Sequence, residues 1–128
     1  MKNFSFFYLC LITIVFGCSD SPYMQGKRLY TTNCQNCHME DGSGLANLIP
    51  ALNTSKLLGT SNIACVLKKG INDTIRRDST FLLKQMPSFS KLSATEMTNI
   101  VNYVNHKWFP AFKEQTILDI ELVLKNCN

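Results

Sequence analysis

Hydrophobic and polar positions divide the chain into one continuous apolar run and several periodic stretches. Phe4 to Phe16 is an apolar run of 13 residues behind the positive Lys2. A membrane-crossing helix needs ~20 apolar residues, whereas a run of this length suits the apolar segment of a secretory signal. A buried core helix or an uncleaved anchor is the alternative. Beyond it the pattern turns periodic. Met97, Ile100, Val101 and Val104 recur at helical spacing, with Tyr103 at the border of the stripe. Ser93 followed by Glu96 makes a capping box that starts this helix, and it should end near Lys107.

Ser21 and Pro22 read as another helix start, a capping hydroxyl and then Pro at the first helical position. That helix should run through Met24, Gly26, Leu29 and Tyr30 to about Asn33. Gly26 costs a helix ~1 kcal/mol against Ala, so its presence points to close approach by a second helix. Ser61 opens a short helix from Asn62 to Lys69, with Ile63, Val66 and Leu67 inward and Gly70 closing it. Thr116 and Asp119 start a last helix whose Ile117, Ile120, Leu124 and Cys127 share a face. Thr74–Arg76 and Phe81–Leu83 around Arg77–Thr80 predict a small hairpin, and Pro87 stops what precedes it. Asp41–Gly44 is a turn cluster, and Ile49–Asn53 is a loop with apolar residues that need covering. Without repeats or low-complexity segments, the pattern predicts an all-α chain.

Composition narrows the choice. At 128 residues there is chain for one small domain, not for a TIM barrel. A 45% hydrophobic content excludes a disordered chain. The net charge of +4 comes from scattered Lys and Arg, unlike a nucleic-acid arm. Two His residues leave little room for a His-rich metal enzyme.

The chemistry concentrates in Cys34-Gln35-Asn36-Cys37-His38, the spacing of c-type haem attachment. One helical turn brings two thiols to the two vinyl groups of one porphyrin, and the adjacent imidazole then faces the iron. A zinc site would need a second cysteine pair, and none is present. A thioredoxin-like redox pair would need a βαβ context, which the pattern lacks.

From Gly26 to Lys107 the chain resembles the class I monohaem cytochromes c. Gly26 to Tyr30 before the motif, Asp41–Gly44 after it, Ile49–Leu52, Met86–Phe89, and Leu92-Ser93 with Tyr103 carry the likeness. The resemblance implies a small helical shell around one covalently bound haem, with the first and last helices of the domain crossing near Gly26, Tyr30 and Tyr103. It implies that the Pro50 carbonyl holds the proximal His38 and that Met86 is the sixth ligand. Met86 stands before Pro87 in what reads as irregular chain able to cover the distal face, and Met24, Met39, Met97 and His106 are its competitors. A His/Met pair raises the potential over His/His and leaves no open coordination position. The chain is thus expected to pass electrons rather than catalyse. A peroxidase or gas sensor would require an open sixth position.

Val15-Phe16-Gly17-Cys18 resembles a bacterial lipobox, departing from it at Phe16 and Val15. The expected organisation is a signal peptide over 1–17, a lipidated tether over 18–22 with the lipid on Cys18, a cytochrome c domain over 23–110 and a C-terminal helical extension over 111–128. Export places the protein in an oxidising space, lipid-anchored to a bacterial membrane and facing the periplasm. Ser19 after Cys18 resembles the signal for outer-membrane sorting. Cys10 leaves with the signal, Cys18 takes lipid, and Cys34 and Cys37 take haem. Cys65 and Cys127 remain to form a disulfide, closing a loop that the chain-entropy treatment values at ~4 kcal/mol. The expected function is a monomeric one-electron carrier between a donor and an acceptor redox protein, with no nucleic-acid partner. A fixed haem c subunit of a larger respiratory oxidoreductase is the alternative. Lys27, Lys56, Lys68, Lys69, Lys84 and Lys91 are either a docking ring for an acidic partner or ordinary solvated charges.

Overall fold

The computed structural model of the chain describes residues 22–45, 48–77 and 80–127. The expected signal segment, Cys18 and the expected tether up to Ser21 lie outside the described residues. In chain order the elements are α1 (Met24–Asn33), α2 (Gln35–His38), α3 (Ile63–Lys69), β1 (Ile71–Arg77), β2 (Thr80–Met86), α4 (Ala94–Trp108) and α5 (Ile117–Lys125). The architecture is mostly helical, with one small two-stranded sheet. No helix among the described residues is long and apolar enough to cross a membrane.

The longest helix, α4, is organised by its cap and its stripe. The Ser93 hydroxyl accepts from the Glu96 backbone N–H at 3.3 Å, and the Glu96 carboxylate accepts from the Ser93 N–H at 2.8 Å. Those bonds also hold the Glu96 carboxyl below its usual range. Met97, Ile100, Val101 and Val104 are all buried, so the periodic stripe is the wall of the core. Helix α1 crosses it at Gly26. A methyl group there would overlap the Asn99 carbonyl and lie 2.6 Å from Tyr103 Cβ. One turn on, the rings of Tyr30 and Tyr103 pack with centroids 5.5 Å apart.

Three expectations need correction. Helix α1 is capped by Tyr23 without a side-chain bond, so Pro22 precedes the helix instead of opening it. Tyr23 stacks on His106 at 4.3 Å and lies edge-on to Phe112. That packing holds it outside helical geometry. In α3 the pattern missed Ala64, which is fully buried with Leu67, while Ile63 and Val66 do face inward, half-buried along an interior cleft. The apolar face of α5 is narrower than the pattern suggested. Ile120 is fully buried and Leu124 half-buried, but Ile117 is 45% exposed.

The hairpin is longer than predicted. Its strands pair antiparallel from Ile71 opposite Met86 to Arg77 opposite Thr80. Gly70, with φ of 72°, ends α3 and turns the chain into it. A disulfide joins Cys65 of α3 to Cys127 just beyond α5, with Cα atoms 5.6 Å apart. Asn105, fully buried on α4, accepts the Gly59 backbone N–H at 2.9 Å and so ties the 55–60 segment to the core.

Candidate haem site

The site grows from the end of α1. Gly26, Tyr30 and Cys34 follow at four-residue spacing, so they share the helix face that packs on α4. Cys34 breaks α1, and a single tight turn follows. The backbone N–H groups of Cys37 and His38 both donate to the Cys34 carbonyl, at 3.1 and 2.9 Å. That turn buries Cys34 and His38 and leaves Cys37 exposed. Both thiols are free. Burial, and then the neighbouring Cys37, push the Cys34 thiol up to about 11.

Met39 stops the turn at φ 61°, ψ 166°, a region that residues other than Gly occupy only at a cost of order 1–3 kcal/mol. Distant side chains hold it there. The Tyr30 hydroxyl donates to the Met39 carbonyl at 2.6 Å. The Lys107 ammonium donates to the Glu40 carbonyl and lies 5.1 Å from the Trp108 ring centroid. Trp108 occupies the space beside Gly42, where an added methyl would be 2.6 Å from the indole. Asp41 accepts the Ser43 backbone N–H at 3.0 Å, and hydrogen bonding from Ser43 lowers its pKa. The Gly44 N–H returns to the His38 carbonyl at 3.2 Å, and its missing side chain lets Pro50 approach.

His38 is buried, and its Nδ1 makes no hydrogen bond. Burial lowers its pKa, and the Pro50 carbonyl opposes that shift. Pro50 thus acts on the ring as a nearby dipole without completing a hydrogen bond of good geometry. A buried donor left in this state costs ~1–3 kcal/mol.

Two adjoining clefts share Cys34, His38 and Met86 as walls. The outer one adds Cys37, Ile49, Pro50 and Phe89; the inner one adds Leu52, Leu58, Val66, Leu67, Ile100 and Val104. Together they form one crevice with mainly apolar walls. All five predicted cofactor residues, Cys34, Cys37, His38, Pro50 and Met86, line it. Met86 is the last residue of β2, not part of irregular chain as the sequence suggested. Its competitors do not line the crevice: Met97 is buried in the core, and His106 is exposed against Tyr23. Cys65 and Cys127 are spent on their own bridge. The latches on the turn, Tyr30 and Lys107, escaped the sequence reading. The four-residue spacing of Tyr30 before Cys34 was the available signal for one of them.

Residues 21–104 match the family described as cytochrome c oxidase, cbb3-type, subunit III. The match covers well over half of the chain, which belongs to that family. The chain is also 28% identical over 86 residues to the cytochrome c subunit of alcohol dehydrogenase (quinone) from Gluconacetobacter polyoxogenes and to that from Komagataeibacter europaeus. The aligned region is 65% of this chain but 18% of each relative. The protein is a cytochrome c that carries covalently bound haem c and serves as an electron carrier. The crevice fits that group: two free thiols on one turn, a buried imidazole with an unpartnered outer nitrogen, a thioether on the same crevice and apolar walls.

Proposed function

We propose that this is a class I monohaem cytochrome with His38 and Met86 as axial ligands, working as a one-electron carrier and not itself catalytic. The convergence of Cys34, Cys37, His38 and Met86 on one apolar crevice carries the reading. Bound haem iron supplies a single electron that can be gained and lost at modest cost. Cys34 and Cys37 would hold the porphyrin through thioethers, and the tight turn fixes both against α1. His38 would offer its inner nitrogen to the iron while Pro50 orients the ring from behind. Met86 would supply a thioether, which favours the ferrous state. Leu52, Leu58, Leu67, Ile100 and Val104 keep water out, so a change of charge inside reorganises little solvent.

The protein is an extracytoplasmic lipoprotein in this reading, tethered through Cys18 and exchanging electrons with redox proteins at the crevice mouth. A second reading, a fixed subunit of a larger oxidoreductase, draws on the relatives, both cytochrome c subunits of alcohol dehydrogenase (quinone). A diffusing carrier loses turnover as ionic strength screens docking, whereas a fixed subunit co-purifies with its complex. The ligand assignment is tested by Met86→Ala. Haem should stay attached on a denaturing gel, while the ferric spectrum turns high-spin or takes up an added ligand and the potential falls. An unchanged spectrum overturns Met86 as a ligand.

A further inference from the structure

The last helix does more than extend the fold. It lies beyond the family-matched residues, yet it is fastened to the element that backs Met86. Ile120 is fully buried in the core. The Cys65–Cys127 disulfide ties the end of α5 to the middle of α3. The Lys68 ammonium donates to the Leu124 carbonyl at 2.9 Å, so α3 also caps the end of α5.

The C-terminal end of α3 in turn holds the residues after Met86. A helix leaves its last carbonyls unpaired, and here two of them are taken by that segment. The Phe89 N–H donates to the Leu67 carbonyl at 2.8 Å, and the Ser88 hydroxyl donates to the Lys68 carbonyl at 2.6 Å. Gly70 completes the contact. It packs so closely under Met86–Ser88 that an added methyl would overlap the Met86 carbonyl and lie 2.8 Å from the Ser88 nitrogen. Its φ of 72° also makes a side chain there strained.

We propose that α5, the Cys65–Cys127 bridge and Ser88 form a clamp that positions Met86 in the crevice through the C-terminal end of α3. This rests on Met86 being the sixth ligand. Ser88 and the bridge are positioning residues, since neither lines the crevice. The clamp makes displacement of Met86 by an external ligand costly, because drawing the Met86 backbone away from the crevice strains the Ser88 and Phe89 bonds to α3, its pairing with Ile71, or the bridge that holds α3.

The test uses the haem-loaded full chain and titrates ferric protein with imidazole, which must displace Met86 to bind. Ser88→Ala should raise the apparent imidazole affinity about five-fold, as expected for the loss of the hydroxyl's bond to the Lys68 carbonyl together with the longer one it accepts from the Ser90 N–H. Ser88→Thr should restore the unmodified value. Cys65→Ala with Cys127→Ala should raise the affinity further. Should that pair fail to fold, the bridge is opened in the folded holoprotein by thiol reduction, its thiols are alkylated, the reductant is removed and the iron is reoxidised with ferricyanide before the same titration. The near-infrared charge-transfer band of a sulfur-ligated ferric haem separates the two ideas. A native protein without that band overturns Met86 ligation, and the clamp with it. A native protein with the band, lost in Met86→Ala, but with imidazole affinity unmoved by Ser88→Ala and by breaking the bridge, overturns the clamp alone.

Discussion

Replacing Gly26 by Ala tests the helix crossing on which the site is built. In isolation the change favours the helix by about 1 kcal/mol, since Ala restricts the unfolded backbone. The structure opposes it. The new Cβ would overlap the Asn99 carbonyl oxygen and lie 2.9 Å from the Asn99 carbonyl carbon and 2.6 Å from Tyr103 Cβ. None of these atoms can rotate away, because two belong to the backbone of α4 and the third is fixed to it. The helices must therefore separate, which places the cost at the upper end of the ~1–3 kcal/mol range for overpacking. The net loss should be about 1–2 kcal/mol. At roughly 4–8 °C per kcal/mol for a domain of this size, Tm should fall by about 5–15 °C. Thermal unfolding of the haem-loaded protein followed by far-UV circular dichroism measures it. Thr32→Ala on the exposed side of the same helix is the control for propensity. A Gly26→Ala protein with Tm equal to or above the parent would refute the crossing.

Tyr30→Phe removes the latch on the Met39 carbonyl and should cost about 1 kcal/mol at neutral pH by denaturant titration. It should also flatten the alkaline limb of the stability profile. Burial above all, and then the neighbouring Cys34, Tyr103 and Asp41, raise the Tyr30 pKa in the fold above the unfolded value of 10.0. Its contribution is therefore complete below about pH 10 and is lost as pH rises toward the folded pKa. A parent and a Tyr30→Phe protein with parallel profiles above pH 10 would contradict this. Cys18→Ala should release the protein from the membrane fraction or block its processing, and an intact segment 1–17 in the mature protein would overturn the lipoprotein reading.

What could be read from the sequence was chemistry carried by neighbours in the chain. Ser93 with Glu96 and Thr116 with Asp119 cap helices because the bonds close within one turn. Cys34, Cys37 and His38 reach one crevice because a single turn spaces them. The stripe from Met97 to Val104 was legible because period alone decides which face of a helix is buried. The start of α1 was misread because Tyr23 answers to His106 and Phe112, more than eighty residues away. The burial of Ala64 was missed because its small size matters only once α4 and α5 close over α3. Met86 was placed in irregular chain because its extended conformation depends on pairing with Ile71, across a loop that sequence patterning defines poorly.

The arrangement of these distant contacts has a physical logic. The turn that carries both thiols and His38 ends in a conformation Met39 would not adopt alone. A local sequence signal for it could not exist, since a glycine at that position would have supplied the geometry without help. Here the geometry is imposed by Tyr30 from α1 and by Lys107 from the end of α4. Both helices meet at Gly26, so loss of that crossing removes the supports of the turn together. Met86 is backed separately, through Gly70, Ser88 and α3. The two sides of the crevice thus depend on different parts of the chain. A lesion at Gly26 should loosen His38 and its turn while sparing the contacts behind Met86, and a lesion at Ser88 should do the reverse.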